Sequence, residues 1–187
     1  HVDNGLPAFN VVGLPDASCK EARDRVRAAL VSSGLAWPSR RITVNLAPTG
    51  VPKAGAVLDL PMAVGLLVAC GAVEPDSIEG IAFLGELGLD GSLRPIPGAL
   101  PLVDAVEVGV VVVAPGNVVE ARLVTPTVVH TVADLRGLVL ALRGDEPWPE
   151  AGSPTPEAYT FEEPDLADVR GQRMARFAIE VAAAGAH

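Results

Sequence analysis

The chain has 187 residues, 49% hydrophobic and 4% aromatic, which allows one domain with an aliphatic core. Its net charge of −9 argues against nucleic acid as the partner of the whole surface. Residues 1–53 differ, since they carry seven basic against four acidic residues, a balance of +3. Two cysteines do not make a disulfide framework, and no apolar run approaches the roughly 20 residues that cross a bilayer. We therefore expect a soluble cytoplasmic protein without membrane contact.

The first segments predict a strand, a helix and a second strand. Residues 5–13 indicate a short strand that ends in a glycine. Residues 16–33 indicate a helix, with Ser18 and Glu21 at capping-box spacing. Residues 41–47 alternate between apolar and polar side chains, as in a half-buried strand.

A Gly/Pro-rich loop at residues 51–58 leads into a second helix. We interpret Asp59 as the cap of this helix, with Pro61 in the first turn, where a missing N–H costs little. Met62 and Cys70 fall on one face at helical spacing. The apolar composition predicts that this helix is buried on most sides.

The next part of the chain alternates strands with helices. Residues 81–87 and 92–96 predict a hairpin with a two-residue turn at Asp90-Gly91. Beyond it we expect a helix after Pro97-Gly98, a buried strand at 110–113, a short helix at 117–123, a strand at 128–131 and a helix at about 134–142. This alternation predicts an α/β domain with a mixed sheet.

The composition changes after residue 143. Residues 144–160 are rich in proline and acidic residues, which is typical of a linker. Residues 166–184 then predict another helix. We therefore divide the chain into a domain at 1–143, a linker at 144–160 and the start of a further module at 161–187.

Several multi-residue motifs, in the same order, closely resemble the ComM/YifB family of magnesium-chelatase-like AAA+ proteins. They are GLPAF at 5–9, VGLPD at 12–16, RRITVNLAP at 40–48, FLGEL at 83–87 and DGSLRP at 90–95. The similarity covers nearly the whole chain to about residue 143 and resumes at 161. There, DVRGQ at 168–172 resembles the entry to the AAA+ module of the family.

The resemblance implies a fold like the catalytic domain of Lon protease. In Lon-type peptidases the loop before the buried helix carries a serine two positions after a glycine, and counting from Gly55 places that position at Val57. The lysine partner follows a glycine pair after the hairpin, and counting from Pro97-Gly98 places it at Leu100. Because a Ser–Lys pair needs a hydroxyl and an amine, we expect no peptidase activity in this chain.

The family also implies a function on DNA. It suggests a non-catalytic domain of a ring-forming AAA+ ATPase with a recombination, branch-migration or transformation role, acting as assembly scaffold or DNA guide. A protein-binding adaptor is the alternative, and a chelatase or peptidase fits least. We expect a hexameric ring of the full-length protein, with the chain itself and DNA as partners. No cofactor is expected in this chain, because the Walker A loop of the family, which binds ATP and Mg²⁺, follows beyond His187.

Six basic residues are the candidate contacts for DNA or for a neighbouring subunit: Lys20, Arg23, Arg27, Arg40, Arg41 and Lys53. The two helical arginines are four residues apart and thus neighbours on one face. Phosphate contact, subunit contact and a solvated face all remain open at this point. No aromatic residue lies between Arg23 and Arg27 or between Arg40 and Arg41, from which we expect no base stacking on single strands.

Other catalytic or ligand-binding signals are weak. The sequence has neither a GxxxxGK[ST] loop nor a GxGxxG motif, and its three histidines are not grouped with other metal ligands. Asp59 and Glu86 are a tempting carboxylate pair. We interpret the first as a helix cap and the second as an acceptor for backbone amides near the hairpin. No catalytic, cofactor-binding or metal-binding residue is therefore predicted.

Overall fold

The computed structural model describes residues 1–48, 50–53, 55–150 and 165–185. The chain divides into two compact units, His1–Pro154 and Thr155–His187. The strands described in the first unit are β1 (Val2–Asp3), β2 (Ala8–Val12), β3 (Arg41–Asn45), β4 (Ile81–Leu84), β5 (Glu86–Leu87), β6 (Leu93–Arg94), β7 (Val110–Val113) and β8 (Val128–Thr131). Its α-helices are α1 (Ala17–Ser32), α2 (Asp59–Ala69), α3 (Ala99–Asp104), α4 (Val118–Ala121) and α5 (Leu135–Arg143). Short 3₁₀ helices lie at Ala56–Leu58, Pro75–Ile78 and Pro115–Asn117.

The strands form two three-stranded sheets and a hairpin. In the first sheet, β3 lies between β1, which is antiparallel to it, and β2, which is parallel. The second sheet has the order β4-β7-β8 and is parallel throughout. The hairpin pairs β5 with β6. The predicted α/β class with mixed strand directions is confirmed.

Helices α1 and α2 bury aliphatic side chains in the main core. The face of α1 predicted to be buried is buried, and it consists of Ala22, Val26, Ala29 and Leu30. On α2 the buried side chains occupy most of the circumference, as the apolar composition predicts. Strand β7 separates this core from a smaller one, because Val112 packs into the main cluster while Val111 and Val113 pack into the second.

Two predictions about the ends of α1 and α2 are wrong. Helix α1 is capped by Asp16 rather than by Ser18, since the Asp16 carboxylate accepts a hydrogen bond of 2.7 Å from the Cys19 N–H. Cys70 is exposed rather than buried, because α2 ends at Ala69 and Cys70 is its C-terminal cap residue.

The predicted strand at 81–87 is interrupted at Gly85. The main chain of Gly85 bonds to the loop and to α2, donating to the Val57 carbonyl at 3.3 Å and accepting from the Leu60 N–H at 3.2 Å. The predicted hairpin is present, but five residues connect its strands instead of two. The Gly88 N–H donates to the Ser92 carbonyl at 2.9 Å and closes this longer turn.

Gly13 follows β2 at a crossing of two chain segments. Its φ of +102° lies in a region that favours glycine, and a Cβ there would overlap the Leu46 carbonyl. The Leu46 N–H in turn donates to the Val12 carbonyl at 2.9 Å, just past the end of β3. The VGLPD motif therefore includes a glycine that lets these two segments approach closely.

The second unit contains a 3₁₀ turn at Leu166–Asp168 and helix α6 at Arg173–Ala184. The predicted continuous helix at 166–184 is wrong in its first third. Gly171 and Gln172 have φ values of +76° and +50°, which are incompatible with a right-handed helix. Most of the predicted linker, residues 151–160, lies outside the described residues. Within the described ranges, no helix is both long and apolar enough to span a membrane.

Candidate functional site: an arginine-lined cleft beside an apolar loop

The two positions compared with a Ser–Lys pair carry apolar side chains. Val57 lies in the 3₁₀ helix Ala56–Leu58, and Leu100 lies in α3 with 39% of its surface exposed. The Leu100 N–H donates to a Glu120 carboxylate oxygen at 3.3 Å. Neither side chain has a group that can attack a carbonyl or accept a proton.

The main chain of the loop before α2 is tied to the start of α1. The Asp16 N–H donates to the Lys53 carbonyl at 3.0 Å, and the Gly55 N–H donates to Asp16 Oδ2 at 3.0 Å. The backbone N–H groups of Cys19 and Gly55 lower the pKa of the Asp16 carboxyl, because they stabilise its charged form. The Cys19 thiol faces the same loop, 3.6 Å from the Lys53 and Gly55 carbonyls. These hydrogen bonds hold the loop against the N-terminal end of α1.

Asp59 does not cap α2; it is a fully buried partner of Arg25. Leu58 occupies the cap position, and Asp59 has no exposed surface. Its carboxylate accepts hydrogen bonds from Arg25 Nε at 2.6 Å and Arg25 Nη2 at 3.0 Å, and a weaker one from the Leu87 N–H at 3.4 Å. Burial raises the pKa of Asp59, and the guanidinium opposes that rise. The hydrogen bond to Asp59 raises the pKa of Arg25.

The pair joins three elements that are distant in sequence. Arg25 belongs to α1, Asp59 to α2 and Leu87 to β5. Arg25 Nη2 also donates to the Ser18 carbonyl at 2.8 Å. In the described residues no hydrogen bond joins the Glu86 carboxylate to the hairpin amides, and the Leu87 amide bonds to Asp59 instead. Asp59 is therefore the acidic partner of a structural ion pair and not the predicted helix cap.

Three of the predicted contact residues line one cleft. Arg23 and Arg27 project from α1, and Arg40 lies on the segment that leads into β3. The cleft has a volume of about 140 Å³, and the remaining lining residues are Pro7, Ala8, Phe9, Trp37, Pro38 and Ser39. No carboxylate is among the described residues that line it. The cleft therefore concentrates positive charge without a built-in counter-charge.

Few acidic groups neutralise these arginines. Arg23 Nε lies 3.9 Å from an Asp24 carboxylate oxygen, and both side chains are exposed. Arg27 and Arg40 form no ion pair within the described ranges of the chain. The sequence-predicted alternative of a face of internal salt bridges is thus limited here to one long contact. An anion entering the cleft does not need to displace a buried carboxylate.

The other three predicted contacts lie apart from the cleft. Lys20 is exposed on α1, and Arg41 is exposed on β3 near Gly5. The Lys53 ammonium donates to the carbonyls of Pro48 and Val51, the latter at 2.8 Å. Lys53 thus holds its own loop, and its charge is partly committed to backbone carbonyls.

Two aromatic residues in the cleft were missed by the sequence reasoning. Phe9 and Trp37 pack with ring centroids 5.7 Å apart and planes tilted by 31°. They come together because β2 and β3 are parallel and in register, with Phe9 opposite Ile42. Trp37 lies in the short connection between α1 and β3. The position of Trp37 between Arg27 and Arg40 in the sequence was the signal that could have placed it beside the arginines.

No metal site is evident among the described residues, where no three His, Cys, Asp or Glu side chains are grouped closely enough to hold an ion. A second depression, with a volume of about 300 Å³, lies between β3 and α2. Its walls are mostly aliphatic, with Val44, Met62 and Leu66. The lining also includes His1 and Thr43, but His1 Nε2 contacts an Asp3 carboxylate oxygen at 2.8 Å, and among the described residues no hydrogen bond joins the His1 and Thr43 side chains. The arginine-lined cleft is therefore the candidate site.

Comparison with known proteins identifies the family. The family described as "Subunit ChlI of Mg-chelatase" matches residues 1–117. An uncharacterised protein of Mycobacterium tuberculosis is 45% identical over 192 residues, and the competence protein ComM of Haemophilus influenzae is 39% identical over 193 residues. The uncharacterised protein YifB of Escherichia coli is 37% identical over 189 residues.

These alignments include 100% of this chain but only 37%, 38% and 37% of the three relatives, in the same order. The chain thus spans little more than a third of the length of the relatives it matches. The matched region contains the motifs of the first unit, including the GLPAF and RRITVNLAP segments that border the cleft. The chain belongs to the ComM/YifB family of magnesium-chelatase-like AAA+ proteins.

Proposed function

We propose that this chain is a non-catalytic domain of a ring-forming AAA+ ATPase that acts on DNA, and that it guides the nucleic acid. The observation that carries the proposal is the cleft in which Arg23, Arg27 and Arg40 meet without a lining carboxylate. Arginines bind phosphate through charge and through bidentate hydrogen bonds. A competence protein among the relatives is in keeping with a role on DNA.

The rest of the proposal follows from the family. The domain has a Lon-like fold in which Val57 and Leu100 replace the peptidase pair, and it serves the motor through binding and assembly. ATP and Mg²⁺ bind elsewhere in the full-length protein. The protein forms a hexameric ring with copies of itself and is located in the cytoplasm. In such a ring, weak contacts from several subunits act together through their effective concentration.

Salt dependence tests the DNA contact. If the three arginines each neutralise one phosphate of a duplex, the slope of log K against log salt is about −2.7. Affinity then falls about 40-fold between about 50 and 200 mM salt. Removal of two contacts in Arg23→Ala/Arg27→Ala reduces the slope to about −0.9, so affinity falls only about 3- to 4-fold. Fluorescence anisotropy with labelled duplex and branched DNA measures both slopes.

A charge-matched variant provides the control. Arg136→Ala/Arg173→Ala also removes two positive charges, but from exposed positions outside the cleft. We expect this variant to keep the full slope of log K against log salt. Equal losses in the two double variants would point to net charge rather than to the cleft. Flat curves at both salt concentrations for the parent chain would refute contact of this domain with duplex or branched DNA.

An adaptor that binds proteins is the second candidate, favoured by an apolar surface on α3 and α4. These two helices contact each other. Exposed apolar residues on them and just after α4 include Leu100, Val119 and Leu123, at 39%, 52% and 68% exposure. Analytical ultracentrifugation tests the alternative. If the chain associates with a protein but has no affinity for DNA, and if Leu123→Glu abolishes this association, the adaptor is favoured over the DNA guide.

A further inference from the structure

The arginine-lined cleft also presents aromatic rings, which phosphate binding does not require. We propose that it binds an unpaired nucleotide strand, with one base stacked on Trp37 and the adjoining phosphates on Arg23, Arg27 and Arg40. This inference rests on the proposed function and specifies its substrate as single-stranded rather than duplex nucleic acid. It also reverses the expectation that base stacking is absent.

The indole is held in place before any ligand arrives. Trp37 is half-buried, packs against the main core, and contacts the Phe9 ring at a centroid distance of 5.7 Å. Pro38 follows Trp37 directly in the chain and restricts its backbone conformation. A ring fixed in this way loses little rotamer freedom on binding, so that more of the stacking energy appears as affinity.

The arginines line the same cleft as the aromatic pair and come from two different elements. Arg23 and Arg27 are one helical turn apart, about 5–6 Å between Cβ atoms, which lets them follow consecutive phosphates. Arg40 lies three residues after Trp37, in the segment before β3, and lines the same cleft. Charged groups along a backbone path and a ring for the bases are the two parts of a single-strand site.

The size of the cleft excludes a double helix from its interior. A volume of about 140 Å³ corresponds to about five liquid waters at roughly 30 Å³ each. A flat base can enter such a space, whereas a duplex keeps its bases stacked and presents only their edges. A duplex would therefore meet the exposed arginines and leave Trp37 unused.

Tryptophan fluorescence tests the inference directly. The chain has two tryptophans, Trp37 and Trp148, so the background variant Trp148→Phe leaves Trp37 as the single reporter. The probes are oligothymidine, oligouridine, a duplex, and an abasic oligonucleotide of the same length with phosphates but no bases. We expect oligothymidine to quench Trp37 and to bind about tenfold or more tightly than the abasic strand, the factor that stacking supplies.

The oligouridine arm distinguishes DNA from RNA. Equal quenching by oligouridine assigns an unpaired strand of either kind, whereas oligothymidine alone would restrict the site to DNA. Binding of abasic and thymidine strands with equal affinity, without quenching, would overturn the stacking inference and leave the phosphate-binding function standing. No binding of any probe would overturn both.

Two substitutions separate stacking from charge. Trp37→Leu is expected to remove the preference for oligothymidine over the abasic strand, while Arg27→Ala weakens both strands by the same factor. Arg136→Ala, outside the cleft, is the control for each. If Trp37→Leu loses its native circular dichroism spectrum, the quenching measured in the Trp148→Phe background still decides the question. An unchanged preference in folded Trp37→Leu would refute the assignment of the stacking ring.

Discussion

The buried ion pair between α1 and α2 provides the sharpest stability prediction. Arg25→Met keeps much of the side-chain length but removes the charge that faces Asp59. The carboxylate would then be unpaired at a position with no exposed surface, where Arg25 now donates at 2.6 and 3.0 Å. We expect the free energy of unfolding to fall by about 3–5 kcal/mol, the cost of leaving one partner of such a pair alone.

A double-mutant cycle identifies the unpaired charge as the cause. Asp59→Leu is expected to cost less, about 1.5–3 kcal/mol, because Arg25 is 18% exposed and keeps its bond to the Ser18 carbonyl. The double variant Arg25→Met/Asp59→Leu should be more stable than Arg25→Met, since no buried charge remains. Glu21→Gln is the surface control, because its carboxylate is exposed and 3.7 Å from Arg25, and it should cost about 0.5 kcal/mol or less.

Urea unfolding followed by circular dichroism gives these differences by linear extrapolation. The pH dependence adds a second check. Loss of the guanidinium raises the pKa of the Asp59 carboxyl further in Arg25→Met, since burial then acts unopposed. Stability that depends on the protonated carboxyl is present at low pH and lost as pH rises, so the deficit should shrink on mild acidification. A deficit below about 1 kcal/mol at neutral pH, or a double variant no more stable than Arg25→Met, would refute the reasoning.

Three further predictions concern the loops around α1 and the cysteines. Gly13→Ala should lower the free energy of unfolding in urea by about 2 kcal/mol or more, because Gly13 has a positive φ and a Cβ there would overlap the Leu46 carbonyl. Gly109→Ala should change little, because no atom lies within 4 Å of the added Cβ. Equal effects of the two substitutions would contradict this. Asp16→Asn should make stability fall less steeply in acid. The lowered pKa of Asp16 contributes stability above the ordinary value of 3.8, and this contribution is lost as the pH falls through the lowered pKa. An unchanged acid limb would exclude Asp16 as the cause. In thiol labelling Cys70 should react at once, while Cys19 should react only on unfolding, because it is buried and burial raises its pKa; rapid labelling of both would disprove the burial.

The sequence predicted elements whose side chains repeat with a clear period. The buried face of α1 is correct because apolar residues recur at helical spacing from Ala22 to Leu30. Strands β7 and β8 have their predicted bounds, since short runs of β-branched residues between turn residues leave little alternative. Errors concentrate at ends, where single hydrogen bonds decide. The Asp16 cap replaced the Ser18 prediction, and positive φ values at Gly171 and Gln172 broke the helix predicted from residue 166.

The candidate site was predictable only in part. The four-residue spacing of Arg23 and Arg27 indicates a shared helix face, and this is what brings them to one cleft. The partnership of Arg25 with Asp59 was not predictable, because 34 residues separate them and Asp59 also suits a helix cap. Trp37 was missed although it lies between Arg27 and Arg40 in the sequence. Its contact with Phe9 depends on the parallel register of β2 and β3, which no local pattern reports.

The position of β7 between two cores has a consequence for local opening of the fold. Val112 contacts the main core, and its neighbours Val111 and Val113 contact the smaller one. Helices α3 and α4 can separate from the smaller core while the main core stays closed, so their amides should exchange with solvent through a partial opening. The amides of β7 are held by both neighbouring strands, β4 and β8, and by both cores. They should exchange only through global unfolding, which makes β7 the slowest-exchanging strand and the boundary between two cooperative units.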